Sequence, residues 1–173
     1  MKEGQYGTFD VVVPVYKPDR KLKELLAMLE RQRKRPEKIV LMVTVDGPEK
    51  SGEDWAFDCR IPTEVHYLQK AEFDHGGTRN RGIGFCESEV VVCMTQDAVP
   101  GDEYMTEELL RPFFGSFCGG EQGRAGDREI LISYGRQLPR EDCRLIERYT
   151  RSFNYPEESR IKTAEDIPGL GIK

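Results

Sequence analysis

Asp97 ends a run, VVVCMTQD over 90–97, that begins as an apolar segment of strand length. A carboxylate just past the C-terminal end of a buried strand is well placed to hold a divalent cation or a cation shared with phosphate. The same residue also suits a plain turn completed by Ala98-Val99-Pro100. Three other strand ends carry groups with chemistry. Tyr16 and Lys17 follow FDVVVPV, Asp46 follows IVLMVTV, and the loop from His75 to Asn80, which includes Arg79, follows EVHYLQ. With Gln96 and Asp97 they put aromatic, carboxylate and basic groups on one edge, as a nucleoside diphosphate requires. Tyr16 can pack a ring and Asp46 can read a base N–H or a ribose hydroxyl. Arg79, a helix N-terminus and an Asp97-bound cation can meet the pyrophosphate charge.

These residues need a scaffold that brings strand ends together. Phe9–Val15 and Ile39–Val45 are nearly continuous apolar runs, the pattern of strands covered on both faces. Asp19 is the expected N-cap of a helix carrying Leu22, Leu25, Leu26 and Leu29. Strand, helix and strand at this length make one βαβ unit. Glu64–Gln69 and Val90–Met94 continue the sheet, and Ile130–Tyr134 is expected as a fifth strand. Between them Asp74-His75-Gly76-Gly77-Thr78 is read as a loop. Thr78 is the expected cap of a helix over 79–86 that turns Ile83 and Phe85 inward. Glycines before a helix can let phosphate approach free backbone N–H groups. Further helices are expected over 102–117, broken near Arg111 by Pro112, and over 141–152. The fold class is α/β, a Rossmann-like α/β/α sandwich with a mainly parallel central sheet. In such a sheet, ligands bind outside the C-terminal strand ends.

The bulk properties narrow the partners. The chain has 173 residues and a net charge of -5, which argues against a general nucleic-acid binder. Five scattered cysteines form no CxxC pair, so a disulfide framework or zinc site is not expected and a cytoplasmic setting is. Cys93 reads as a small core residue. No apolar run reaches membrane-spanning length. GxSxG, HExxH and DxDxDG patterns are absent, which disfavours those hydrolases and EF-hands.

VVVPVYKPD, VDG, FDHGGTRNRG, TQDAVP, GRQLP and ERYTRSFNYP occur in this order. The set resembles the family 2 glycosyltransferases of the GT-A fold, and its last four motifs resemble the bacterial rhamnosyltransferase-like branch that builds surface polysaccharides. The resemblance runs from about Val11 to Lys173. It implies a nucleotide-sugar donor, Mg²⁺ or Mn²⁺, and a glycan or lipid-linked acceptor. Pro14 and Tyr16 match the donor-base segment, Asp46 the base-reading residue and Arg79 a residue near the nucleotide. His75, Gln96 and Lys17 join this binding set, Lys17 standing where the family commonly has Asn. Asp97 matches the last Asp of the family's Asp-x-Asp metal motif. Thr95 stands in place of the first, so Asp97 is the motif's only charged ligand.

The implied chemistry is an inverting displacement at the anomeric carbon, with a carboxylate as base. The family's base belongs to an acceptor-binding half beyond Lys173, so residues 1–173 are expected to form a single nucleotide-sugar-binding domain of a longer chain. No base is named; Glu147, Asp142 and Asp166 are candidates by charge alone. The longer protein is expected at the inner face of the membrane. A non-catalytic nucleotide-sugar-binding module is the alternative. A nucleotidyltransferase would need a glycine-rich loop where Tyr16-Lys17-Pro18-Asp19 stands.

Overall fold

A computed structural model describes residues 7–47, 59–114, 130–139, 143–155 and 157–158. The chain divides into two compact units, Met1–Ser133 and Tyr134–Lys173. The first holds β1 (Phe9–Tyr16), α1 (Arg20–Glu30), β2 (Lys38–Val45), β3 (Thr63–Gln69), a 3₁₀ turn (Lys70–Glu72), α2 (His75–Ile83), β4 (Val90–Cys93) and α3 (Met105–Phe114). The strands form one sheet in the order β3-β2-β1-β4, and every pairing is parallel. The α/β class with a parallel sheet is as the sequence pattern requires.

Alternation along the strands divides the core between two faces. On one face Phe9, Val11, Val13 and Val15 meet Ile39, Leu41, Val43 and Val45, roofed by the four leucines of α1 and by Leu110 of α3. Each fully buried leucine contributes roughly 1.5–3 kcal/mol, so this face dominates the stability. Asp19 caps α1, its carboxylate accepting from the Lys21 N–H at 2.9 Å. On the opposite face Val12, Val40, Met42 and Leu68 form a smaller cluster. There α2 approaches so closely that a Cβ on Gly82 would lie 2.5 Å from Val12 Cγ1 and 3.1 Å from Met42 Cγ.

Several expectations are corrected. The helix expected over 79–86 starts four residues earlier, capped by Asp74 and not by Thr78. Thr78 is buried within it and its hydroxyl accepts from the Asp74 N–H at 3.3 Å. A carboxylate cap outcompetes a hydroxyl here because it takes two backbone N–H groups at once. Ile83 and Phe85 are not buried, at 40% and 39% exposure, since Thr78 and Gly82 form the buried contact of α2. Phe85 instead stacks on His66, ring centroids 3.7 Å apart. Cys93 is exposed, not buried: β4 is an edge strand and pairs with β1 alone among the described strands. Pro112 does not break α3, which runs to Phe114, because in the last turn it forfeits only one helical bond. Residues 130–134 form no strand; Leu131 and Ile132 are exposed and no described strand lies beside them to complete their hydrogen bonds.

In the second unit α4 spans Leu145–Asn154, later than the expected 141–152. Leu145, Ile146, Tyr149 and Phe153 are exposed along it. Arg151 pairs with Glu147 at 3.0 Å and donates to Gln137 Oε1 at 2.9 Å. Among the described residues no helix is long and apolar enough to cross a membrane.

Candidate functional site

The C-terminal edge of the sheet opens because of one residue. β4 stays on β1 as far as the Met94 N–H, which donates to the Val12 carbonyl at 2.9 Å. Pro14, two residues on, has no N–H to continue the ladder. The chain after β4 leaves the sheet and turns, the Ala98 N–H donating to the Thr95 carbonyl at 3.0 Å. The Gln96 side chain then returns to β1. Its Oε1 accepts from the Tyr16 N–H at 2.8 Å and its Nε2 donates to the Tyr16 carbonyl at 3.0 Å. A side-chain amide thus stands in for a strand, and it fixes the Asp97 loop to the end of β1.

Tyr16 is the centre of the edge. Its hydroxyl donates to Asp46 at the end of β2, 2.9 Å from Oδ2 and 3.1 Å from Oδ1. Lys70, directly after β3, donates to the Tyr16 hydroxyl at 3.2 Å and lies 3.4 Å from Asp46 Oδ1. Lys17 lies 3.8 Å from Asp46 Oδ2. Both ammonium groups stand over the Tyr16 ring, 5.1 and 5.3 Å from its centroid. The Tyr16 hydroxyl, foremost, and the two lysines hold the Asp46 carboxyl below its ordinary value against a smaller opposing effect of burial. The Tyr16 hydroxyl and then Asp46 raise Lys70 above its own.

Two backbone and side-chain features mark this edge as specialised. Lys17 has φ 49°, a left-handed conformation that asparagine and glycine adopt more readily. That is a physical reason for the Asn common at this position in the resembled family. Thr44 lies beside Tyr16 and Leu68 in the sheet register, and its buried hydroxyl has no hydrogen-bond partner among the described residues. A buried hydroxyl without a partner is uncommon in a folded protein.

His75 and Arg79 lie on α2 and not in the Tyr16 cluster. Arg79 Nη1 donates to the His75 carbonyl at 2.6 Å, and the His75 ring meets Phe73 edge-on at 5.0 Å. Partial burial of the sulfur raises the Cys93 thiol above its ordinary value, against a smaller lowering by the charge of Arg79. The expected anion-binding N-terminus is corrected here. The Asp74 carboxylate already accepts from the Gly77 N–H at 2.5 Å and the Gly76 N–H at 3.0 Å, bonds that hold its pKa below the ordinary carboxylate value. Those N–H groups are taken, and a carboxylate stands where a phosphate would approach.

Asp97 is exposed at the turn after β4. Among the described residues no group of three His, Cys, Asp or Glu side chains could form a metal cage. One carboxylate beside Thr95 fits a cation whose remaining ligands come from a diphosphate and water, the usual habit of Mg²⁺. Asp142 and Asp166 lie outside the described residues, and Glu147 is engaged by Arg151. Lys70 and Thr44 are members of the edge that sequence reasoning passed over. Lys70 is the first residue after β3, so its place at the strand end is the signal that could have found it.

No family model matches the chain. It is 28% identical over 168 residues to the O-antigen chain rhamnosyltransferase WbaN of Salmonella anatum, covering 96% of this chain and 48% of that protein. It is 27% identical over 164 residues to the O-antigen chain rhamnosyltransferase RfbN of Salmonella typhimurium, covering 94% and 48%. The chain therefore spans about half the length of the curated relatives it matches. Among solved structures, S. aureus TarS 1-349 is 21% identical with a TM-score of 0.47, over 58% of this chain and 30% of that one. The same protein in complex with UDP-GlcNAc gives 21% and 0.43, over 58% and 29%.

Proposed function

We propose that this chain is the donor-binding half, of the GT-A type, of an inverting family 2 glycosyltransferase that moves a sugar, rhamnose by likeness to its relatives, from a nucleotide-sugar to a glycan or lipid-linked acceptor in bacterial surface polysaccharide synthesis. The observation that carries the reading is the meeting of Tyr16, Asp46, Lys70 and Gln96 at the C-terminal edge of a parallel sheet. Supporting it are two relatives named as rhamnosyltransferases, matched along nearly the whole of this chain.

In this reading Asp46 and Tyr16 receive the base, and Gln96 holds the Asp97 loop in place beside β1. Asp97 holds Mg²⁺ or Mn²⁺ together with the donor diphosphate. When bound, that cation offsets the charge of the leaving nucleoside diphosphate. Arg79 of α2 adds a positive charge for the diphosphate. No described carboxylate is assigned as the base that takes the acceptor proton, since Glu147 is ion-paired to Arg151. The same fact favours, as second reading, a module that binds a nucleotide-sugar without transferring it.

Calorimetric titration with nucleoside diphosphates, with and without Mg²⁺ or Mn²⁺, tests the reading. Binding of at least one diphosphate by the folded protein is expected. Binding of none would sink it, and donor hydrolysis or sugar transfer by these residues would remove the second reading.

A further inference from the structure

Lys70 occupies a position that suits recognition better than stability. Its side chain is 66% exposed and that of Asp46 47% exposed. Exposed ion pairs add little to folding. The pair is nevertheless held in a defined geometry, since the Tyr16 hydroxyl bonds Asp46 on one side and accepts from Lys70 on the other. An ionised carboxylate only accepts hydrogen bonds, and an ammonium only donates them. The edge therefore presents an acceptor and a donor 3.4 Å apart, fixed by one tyrosine.

We infer that Asp46 and Lys70 together read a base edge in which a ring N–H stands beside a carbonyl, so that Lys70 is a specificity-determining residue for uracil, thymine or guanine nucleotides over adenine and cytosine nucleotides. This rests on the nucleotide-sugar reading above. Asp46 accepts from the ring N–H, and Lys70 donates to the adjacent carbonyl oxygen. Adenine and cytosine offer a bare ring nitrogen at the same place. Its lone pair would face the Asp46 carboxylate, and the neighbouring amino group would face the Lys70 ammonium. Each contact then sets like against like, and discrimination comes from repulsion as much as from attraction.

The Lys70 ammonium has three N–H donors. One is directed at the Tyr16 hydroxyl and one toward Asp46, which leaves one for a ligand carbonyl. Asp46 keeps lone pairs free beyond those met by Tyr16 and the lysines.

The test is calorimetry of UDP, dTDP, GDP, ADP and CDP against the wild type, Lys70→Met and Lys70→Arg, with circular dichroism spectra to confirm an unchanged fold. The wild type is expected to bind the first three at least about tenfold more tightly than the last two, as one good paired base contact allows. Lys70→Met should lose about tenfold for the first three and bind ADP and CDP somewhat more tightly, since their amino group no longer faces an ammonium, while Lys70→Arg retains most of the preference. Two results overturn the inference alone: equal affinity for all five in the wild type, or a Lys70→Met loss that is equal across all five or absent. Equal loss would mean that Lys70 acts on the diphosphate charge. Failure of the wild type to bind any of the five would instead remove the nucleotide-sugar reading, and this inference with it.

Discussion

The side-chain amide of Gln96 makes both backbone hydrogen bonds of Tyr16, at 2.8 and 3.0 Å, across a separation of 80 residues. It closes the sheet where Pro14 has ended the ladder, and it ties two functional loops with one side chain. Gln96→Ala is expected to cost about 1–3 kcal/mol in urea unfolding, the range of two partly buried hydrogen bonds. Nucleoside diphosphate affinity should fall by more than stability does, because the Asp97 loop loses its anchor to β1. Gln96→Glu keeps the acceptor and sets a charged oxygen against the Tyr16 carbonyl, so it should not restore binding. Wild-type affinity in Gln96→Ala would show that the loop needs no such tie.

Gly82 permits the close approach of α2 to the sheet. In a helix interior alanine would ordinarily be favoured by roughly 1 kcal/mol. Here the added Cβ would meet Val12 Cγ1 at 2.5 Å, a side chain within the central strand with little room to yield. Overpacking of this kind costs typically ~1–3 kcal/mol. Gly82→Ala is therefore expected to be destabilising despite its better helix propensity, read as a lower urea midpoint. A raised midpoint would mean that α2 shifts outward without cost.

The Tyr16 cluster has a defined pH range. Asp46 is held below its ordinary 3.8, and Lys70 is raised above its ordinary 10.5. A depressed carboxyl stabilises the fold fully above 3.8, and that contribution fades as pH falls through its lower folded value. A raised lysine contributes fully below 10.5 and fades as pH rises through its higher folded value. The difference in urea midpoint between wild type and Asp46→Asn should be constant through neutral pH and shrink only below the ordinary carboxylate value. The difference for Lys70→Met should shrink only at the alkaline end. A difference that changed between about pH 5 and 9, away from both windows, would show that another group governs the cluster.

What could be read from the sequence follows from period and burial. β1 and β2 are covered on both faces, so their apolar runs are unbroken and their ends were nearly right. α1 has four leucines at helical spacing and an Asp cap, and both are observed, although the helix stops at Glu30, before the basic run 31–35 that a helix C-terminus would favour. Asp46, Tyr16 and Gln96 came from the rule that strand ends carry chemistry, which needs only the strands. The failures share a cause. Whether Asp74 or Thr78 caps α2 is decided by which oxygen reaches two backbone N–H groups, and that competition is not written in residue types. Cys93 looks buried until β4 is known to be an edge strand. ILISY over 130–134 has strand composition, but a strand exists only when a neighbour completes its hydrogen bonds. Lys70 is one surface lysine among many until three strands converge on it.

Asp97 is the residue on which the proposed metal role turns. Its neighbour Gln96 is anchored to β1, and Thr95 offers no second charge. A cation held by one carboxylate keeps most of its ligands from diphosphate and water, so protein and nucleotide must bind it together. The wild type should then show weak binding of Mn²⁺ alone and nucleoside diphosphate binding that strengthens when Mn²⁺ is added. Asp97→Ala should abolish that strengthening and leave metal-free affinity and the urea midpoint unchanged, since the side chain is exposed. Thr95→Asp, which adds a second carboxylate two residues away, should raise the affinity for Mn²⁺ alone. If Asp97→Ala keeps the full metal effect, Asp97 is only the turn residue that its place after β4 first suggests, and the cation is held elsewhere or by the nucleotide alone.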